Sequence, residues 1–141
     1  MRNRSLIALA IAATVALAAC SGGSSSLTGK TWQLTEMSER VAGFQPPVSE
    51  ADQANYTIEF KSDGNYQAKA DCNQTSGTYT TTSDRGLTIE PGPTTLVACP
   101  GGSVSDDYVQ SLADASSYSI KDGELTIALS QDSGGWTLSF K

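Results

Sequence analysis

The chain has 141 residues, the length of one ordinary domain, with 38% hydrophobic and only 17% charged residues; Ser, Thr, Gly and Asn make up the difference. It contains no histidine, which removes the commonest general base and the commonest metal ligand. Fifteen acids against nine bases give a net charge of -6 and a pI near 4.4, a balance that excludes nucleic-acid binding by phosphate neutralisation.

The chain opens with Arg2 and Arg4, followed by an uncharged apolar run, Leu6 to Leu17, and then Ala18-Ala19-Cys20. At about 1.5 Å per residue this run is short for a ~30 Å bilayer core but suits a secretory h-region. Leu17-Ala18-Ala19-Cys20 resembles the bacterial lipobox, which implies cleavage after residue 19 and a diacylglycerol on the Cys20 thiol. Residues 1–19 are therefore expected to be a lipoprotein signal peptide, and 20–26 a lipidated cysteine with a Gly/Ser tether reaching about 10 Å. The expected location is the bacterial cell envelope, with lipid on Cys20 as the membrane contact.

Residues 27–141 read as one folded domain. Trp32 and Leu34 alternate with polar neighbours, as in a half-buried strand. Ser38 to Asn55 has no period, carries Gly43, Pro46 and Pro47, and reads as a long excursion with a helical turn near Ser49–Ala54. Tyr56, Ile58 and Phe60 alternate, Ser62-Asp63-Gly64-Asn65 turns the chain, and Tyr66, Ala68 and Ala70 resume. By that parity Cys72 is expected to face the core. Gly77–Thr82 reads as the next strand, and Leu87 and Ile89 as a short apolar pair stopped by Pro91-Gly92-Pro93. Thr94–Cys99 reads as extended.

One helix is expected after Pro100-Gly101-Gly102, capped by Ser103 or Ser105, with Asp106 and Asp107 in its first turn and Val104, Tyr108, Leu112 and Ala115 on its apolar face. Tyr118 and Ile120, an Asp122-Gly123 turn, then Leu125, Ile127 and Leu129 form a hairpin; Trp136, Leu138 and Phe140 end the chain. The fold expected is mostly β (α+β): a small antiparallel barrel-like sheet of about eight strands, with one helix before the C-terminal strands.

Cys72 and Cys99 are open to three readings: a structural disulfide, a redox pair or free thiols. Export favours oxidation, while the wide spacing and the neighbouring Asp71 are unlike a redox motif, so a structural disulfide is expected. No metal site is expected. Asp63, Asn65 and Asp71, or Asp106 and Asp107, offer oxygens without calcium-loop spacing and read as a turn and a helix start. No serine elbow or distinguishable carboxylate pair stands out, so no catalytic residue is assigned and no cofactor is expected. Trp32, Trp136, Tyr56, Tyr66 and Tyr79 either line a cavity or fill the interior.

The order Leu27-x-Gly29…Trp32-x-Leu34, Cys72-Asn73…Gly77-x-Tyr79, Thr95-x-x-Ala98-Cys99-Pro100, Tyr108…Leu112, Tyr118-x-Ile120, Gly123-x-Leu125 and Leu138-x-Phe140 resembles the META domain, a family that includes HslJ-like bacterial lipoproteins and META proteins of trypanosomatids. The resemblance implies a small β-barrel-like fold and a link to stress response, with no catalytic residue to carry over. Val97 stands where a Met is common in that family. The expected function is a non-enzymatic envelope lipoprotein with a binding or structural role in stress tolerance. Its partner would be an unknown protein or small molecule, and the chain a monomer. The alternatives are a calycin-like small-ligand carrier, or an inhibitor of an envelope enzyme acting through the 38–55 excursion.

Overall fold

A computed structural model describes residues 26–38 and 48–141; the signal peptide, Cys20, nearly all of the tether and residues 39–47 of the excursion lie outside the described residues. Eight antiparallel strands form one sheet: β1 (Thr31–Ser38), β2 (Tyr56–Phe60), β3 (Asn65–Ala70), β4 (Asn73–Thr81), β5 (Leu87–Thr94), β6 (Ala115–Lys121), β7 (Glu124–Leu129) and β8 (Thr137–Phe140). Their spatial order is β5-β4-β3-β2-β1-β8-β7-β6. β1 is the pivot. Its first residues pair with β2 and its later ones with β8, with a register shift between Leu34 and Glu36. The sheet curls until its two outer strands meet at one bridge, Gly86 with Ser117, beside a 3.0 Å hydrogen bond from the Tyr118 N–H to the Arg85 carbonyl. The result is a half-barrel with a single helix, α1 (Ser105–Ala113), as the strand count and the helical period lead one to expect.

The alternation of apolar residues explains the inner face. Tyr56, Ile58 and Phe60 on β2, and Leu125, Ile127 and Leu129 on β7, all point inward. Asp122 (φ 53°) and Gly123 (φ 86°) both take positive φ between paired Lys121 and Glu124, the geometry of a type I′ hairpin. Trp32, Tyr66, Phe60, Tyr108 and Phe140 are all but fully buried and fill the half-barrel. The Trp32 indole N–H donates to the Leu27 carbonyl at 2.9 Å, so its polar atom is satisfied inside the core. Trp136 is only partly buried.

Several local expectations are corrected. Cys72 is exposed rather than inward, because Asp71 and Cys72 are the two-residue turn between β3 and β4; Ala70 pairs with Asn73, and Asn73 takes the buried position. β4 therefore begins four residues before Gly77. Pro91-Gly92-Pro93 does not stop β5, which runs on to Thr94. β5 is an outer strand, where a missing N–H leaves no ladder bond unmade. Residues 95–100 form no strand. α1 ends at Ala113, so Ala115 opens β6 instead of extending the helical face; Val104 occupies the N-cap with no side-chain cap. The helical turn expected at Ser49–Ala54 is a single 3-10 turn, Gln53–Asn55.

Because every neighbour is antiparallel, the connections sort to two ends. Leu27–Lys30, the turns at 61–64, 82–86 and 121–124, and Lys141 lie at one end, where the Lys30 ammonium donates to the Gly123 carbonyl at 3.2 Å. The 48–55 segment, the Asp71-Cys72 turn, residues 95–104 and the 130–136 connection lie at the other. The described chain thus begins at one end of the half-barrel and builds its longer loops at the opposite end.

Burial pushes the Tyr108 phenol far above its ordinary range, helped by Tyr66, and raises Tyr66 as well. A phenol whose pKa is raised on folding lends stability that is complete below pH 10, the unfolded value, and is lost as pH rises beyond it. Chemical unfolding between pH 9 and pH 11.5 is expected to show a falling midpoint above about pH 10. Tyr108→Phe should flatten that fall, and an unchanged slope in the variant would refute the assignment.

Candidate functional site

The far end is organised by Asn73. Its side chain is buried and fully used. The Oδ1 accepts from the Val97 N–H at 2.7 Å and the Thr95 hydroxyl at 3.1 Å, and the Nδ2 donates to the Val97 carbonyl at 3.0 Å and the Ser105 hydroxyl at 3.2 Å. Next to it a disulfide joins Cys72 to Cys99, with their Cα atoms 5.5 Å apart. Residues 95–99 are thereby pinned to the β3–β4 turn twice, once covalently and once by an amide. Leu96 and Val97 are held at 89% and 58% exposure on this pinned loop. Asn73→Ala removes these four hydrogen bonds and a fifth, from the Nδ2 to the Cys99 sulfur at 3.4 Å, and leaves a buried Ser105 hydroxyl short of its donor, so a loss of about 2–3 kcal/mol is expected in urea unfolding. A loss under 0.5 kcal/mol would show that the amide is not the fastener, since ordinary surface changes fall in that range.

The disulfide also joins the walls of a cavity. Asp71 precedes Cys72 and Pro100 follows Cys99, and both line a space of about 470 Å³ closed by Met37, Val48, Asp52, Tyr56 and Val104. The Tyr56 hydroxyl accepts from the Val104 N–H at 3.1 Å and lies 3.3 Å from the Ser103 hydroxyl, which itself accepts from the Ser105 N–H, the first of α1, at 3.3 Å. The Val48 N–H donates to the Thr35 carbonyl at 2.8 Å, and the Gln53 amide donates to the Val48 carbonyl at 3.1 Å; these bonds set the outer wall.

A second cavity of about 630 Å³ continues from the first, sharing Met37 and Val104. Asp107 and Gln110 from α1, Asp114 directly after it, and Asp132 and Trp136 from the 130–136 connection line it. Together the two form a groove with an apolar floor and carboxylates on both sides. Among the described residues that line it there is no lysine or arginine.

This arrangement suits binding. Among the described residues no three of Cys, Asp and Glu converge closely enough to hold a metal ion. Asp63 and Asp71, which sequence spacing groups as oxygen donors, lie at opposite ends of the half-barrel. Asp63 instead accepts from the Asn65 N–H at 3.0 Å, a turn contact that holds its carboxyl below the usual range. Asp84 is held low in the same way by the Thr82 hydroxyl in the next turn. Of the aromatic residues, Trp32 and Tyr66 belong to the core, Tyr56 belongs to the core and also lines the first cavity, Tyr79 packs against Phe60 at 4.8 Å, and Trp136 lines the second cavity. Met37, Asp114 and Asp132 carry no sequence signal of a shared site. Asn73 does carry one, its position directly after the bridging cysteine.

Comparison with known proteins agrees with this architecture. A family model described as the META domain matches residues 25–140. A search of curated proteins finds no match. Among solved structures, a protein from Burkholderia xenovorans is similar at a TM-score of 0.60 and 24% identity, over 82% of each chain. A DUF4847 family protein from Bacteroides vulgatus is similar at a TM-score of 0.57 and 16% identity, over 81% of this chain and 92% of that one. At these identities the two structures speak for the fold alone.

Proposed function

The chain belongs to the META domain family, and from that premise we propose that it is a lipid-anchored, non-enzymatic binding module of the bacterial cell envelope, active as a monomer in stress tolerance. The observation that carries the reading is the polarity of the half-barrel. The described chain begins at one end, and the two-part groove opens at the other. A lipid on Cys20 followed by a tether of about 10 Å would hold the first end at the bilayer and turn the groove toward solvent. Lys30, Lys61, Arg85, Lys121 and Lys141 lie at or beside the tethered end, interspersed with acids, whereas the charged groups among the described residues lining the groove are all carboxylates. That distribution eases approach of an acidic protein to a surface of anionic headgroups.

A partner in the groove is favoured over a ligand in the barrel, because Trp32, Phe60, Tyr66, Ile127 and Phe140 occupy the interior that a carrier would need empty. The anchoring half of the proposal is tested by expressing the full chain with Cys20→Ser. The variant is expected in the soluble fraction and the parent in the membrane fraction, with acyl label only on the parent. A membrane-bound, unlabelled variant would sink it. The binding half is tested by the titration that follows.

A further inference from the structure

We propose that the groove receives a cationic, partly apolar segment of a protein partner: a Lys- or Arg-bearing stretch whose apolar side chain enters between Met37, Val104 and Trp136. This rests on the reading of the groove as a binding site and names what it takes. The inference comes from charge complementarity along an apolar channel. Asp52 and Asp71 flank the first cavity, and Asp107, Asp114 and Asp132 flank the second. Met37 and Val104 run through both. Lys69 is the one described cation toward this end of the sheet, and its ammonium donates to the Asn55 side chain at 3.0 Å and the Ala54 carbonyl at 3.4 Å, neither of which lines the groove.

An apolar floor alone would accept any greasy segment. Carboxylates on both flanks repel an acidic segment and draw a basic one, so they set the sign of the partner. The half-buried Trp136 adds an aromatic surface, on which an ammonium or guanidinium can rest as readily as an aliphatic stem. The walls are preformed, because the Cys72–Cys99 bond and the Asn73 amide fix the side that Asp71 and Pro100 contribute. A partner therefore need not order them.

Trp136 is also the reporter, since the only other tryptophan, Trp32, is sealed in the core. The purified domain is titrated at low salt with a short peptide of alternating lysine and leucine, its glutamate–leucine counterpart, and oligolysine. The lysine–leucine peptide is expected to shift the emission saturably. Asp114→Asn combined with Asp132→Asn is expected to weaken binding about five- to tenfold with the melting temperature unchanged, as two partly exposed ion pairs would. Glu124→Gln, at the opposite end, should leave the affinity as it was. Added salt should weaken the complex.

If the glutamate–leucine peptide binds equally well, the groove binds but its charge does not select, and the inference falls while the binding role stands. If oligolysine shifts the Trp136 emission with the same affinity as the lysine–leucine peptide, the attraction is diffuse and the inference falls. If no peptide moves Trp136, both the inference and the binding role fall.

Discussion

Gly77→Ala is expected to destabilise the fold by about 4 kcal/mol or more, at the limit of what single substitutions usually do. The cause is crowding, since Gly77 does not have positive φ. The β4–β5 register shifts between Thr75 and Gly77, and the bulge brings the β5 backbone against the Gly77 Cα. A Cβ there would collide with the Glu90 carbonyl oxygen, and would lie 2.8 Å from the Gly92 nitrogen and 2.9 Å from the Tyr66 ring. Two of those three neighbours are backbone in a paired strand, and the third is a buried ring packed in the core. None can retreat without unpairing β5 or opening the interior. Gly101→Ala is the control. Nothing lies within 4 Å of a Cβ at that position, and its change should stay within about 0.5 kcal/mol. Urea unfolding of the two variants checks the pair, and a Gly77→Ala protein as stable as its parent would mean that the two strands do not approach this closely.

Loss of the disulfide is expected to have the next largest effect. Cys72 and Cys99 are 27 residues apart, and opening a loop of that length costs about 3.5 kcal/mol in the chain-entropy model. Cys72→Ser with Cys99→Ser should lower the urea midpoint accordingly, and reduction of the parent by a dithiol should bring it to the same place. Because Cys72 is exposed, that reduction should not require unfolding. The consequence for the groove is distinct from the loss of stability. Asn73 still holds Val97 and Ser105 when the bond is gone, so the wall at Pro100 is expected to loosen while the sheet persists. Amide exchange would then rise in residues 95–104 before it rises in β2 or β3. Identical unfolding curves with and without the bond would overturn this account.

The strand count, the single helix, the Asp-Gly turns and the inward set of Tyr56, Ile58, Phe60, Leu125, Ile127, Leu138 and Phe140 were legible in residue order. Each depends on a local rule: an alternation of two, a period of 3.6, or a glycine that accepts positive φ. Export and lipidation were read as expectations from residues 1–20 on the same kind of local pattern, and those residues lie outside the described part of the chain. The errors also share one source. Parity counted through Ala70 sent Cys72 inward, because a two-residue turn resets the count and only pairing of Ala70 with Asn73 reveals where it falls. Proline looked like a stop at residues 91 and 93, because residue order does not say that β5 will be an outer strand.

The groove was not legible. Met37, Asp71, Pro100, Asp114, Asp132 and Trp136 come from five separate stretches of chain and carry no common spacing. Antiparallel pairing around β1 carries their loops to one end, and the turn at Asp71-Cys72 places the bridge between two of its walls. Residue types were enough to say that this is a small acidic half-barrel with one helix and a fastener at Cys72–Cys99. Where the acids gather, and what they can face, required the folded chain, because a binding surface is made of contacts between segments that sequence keeps apart.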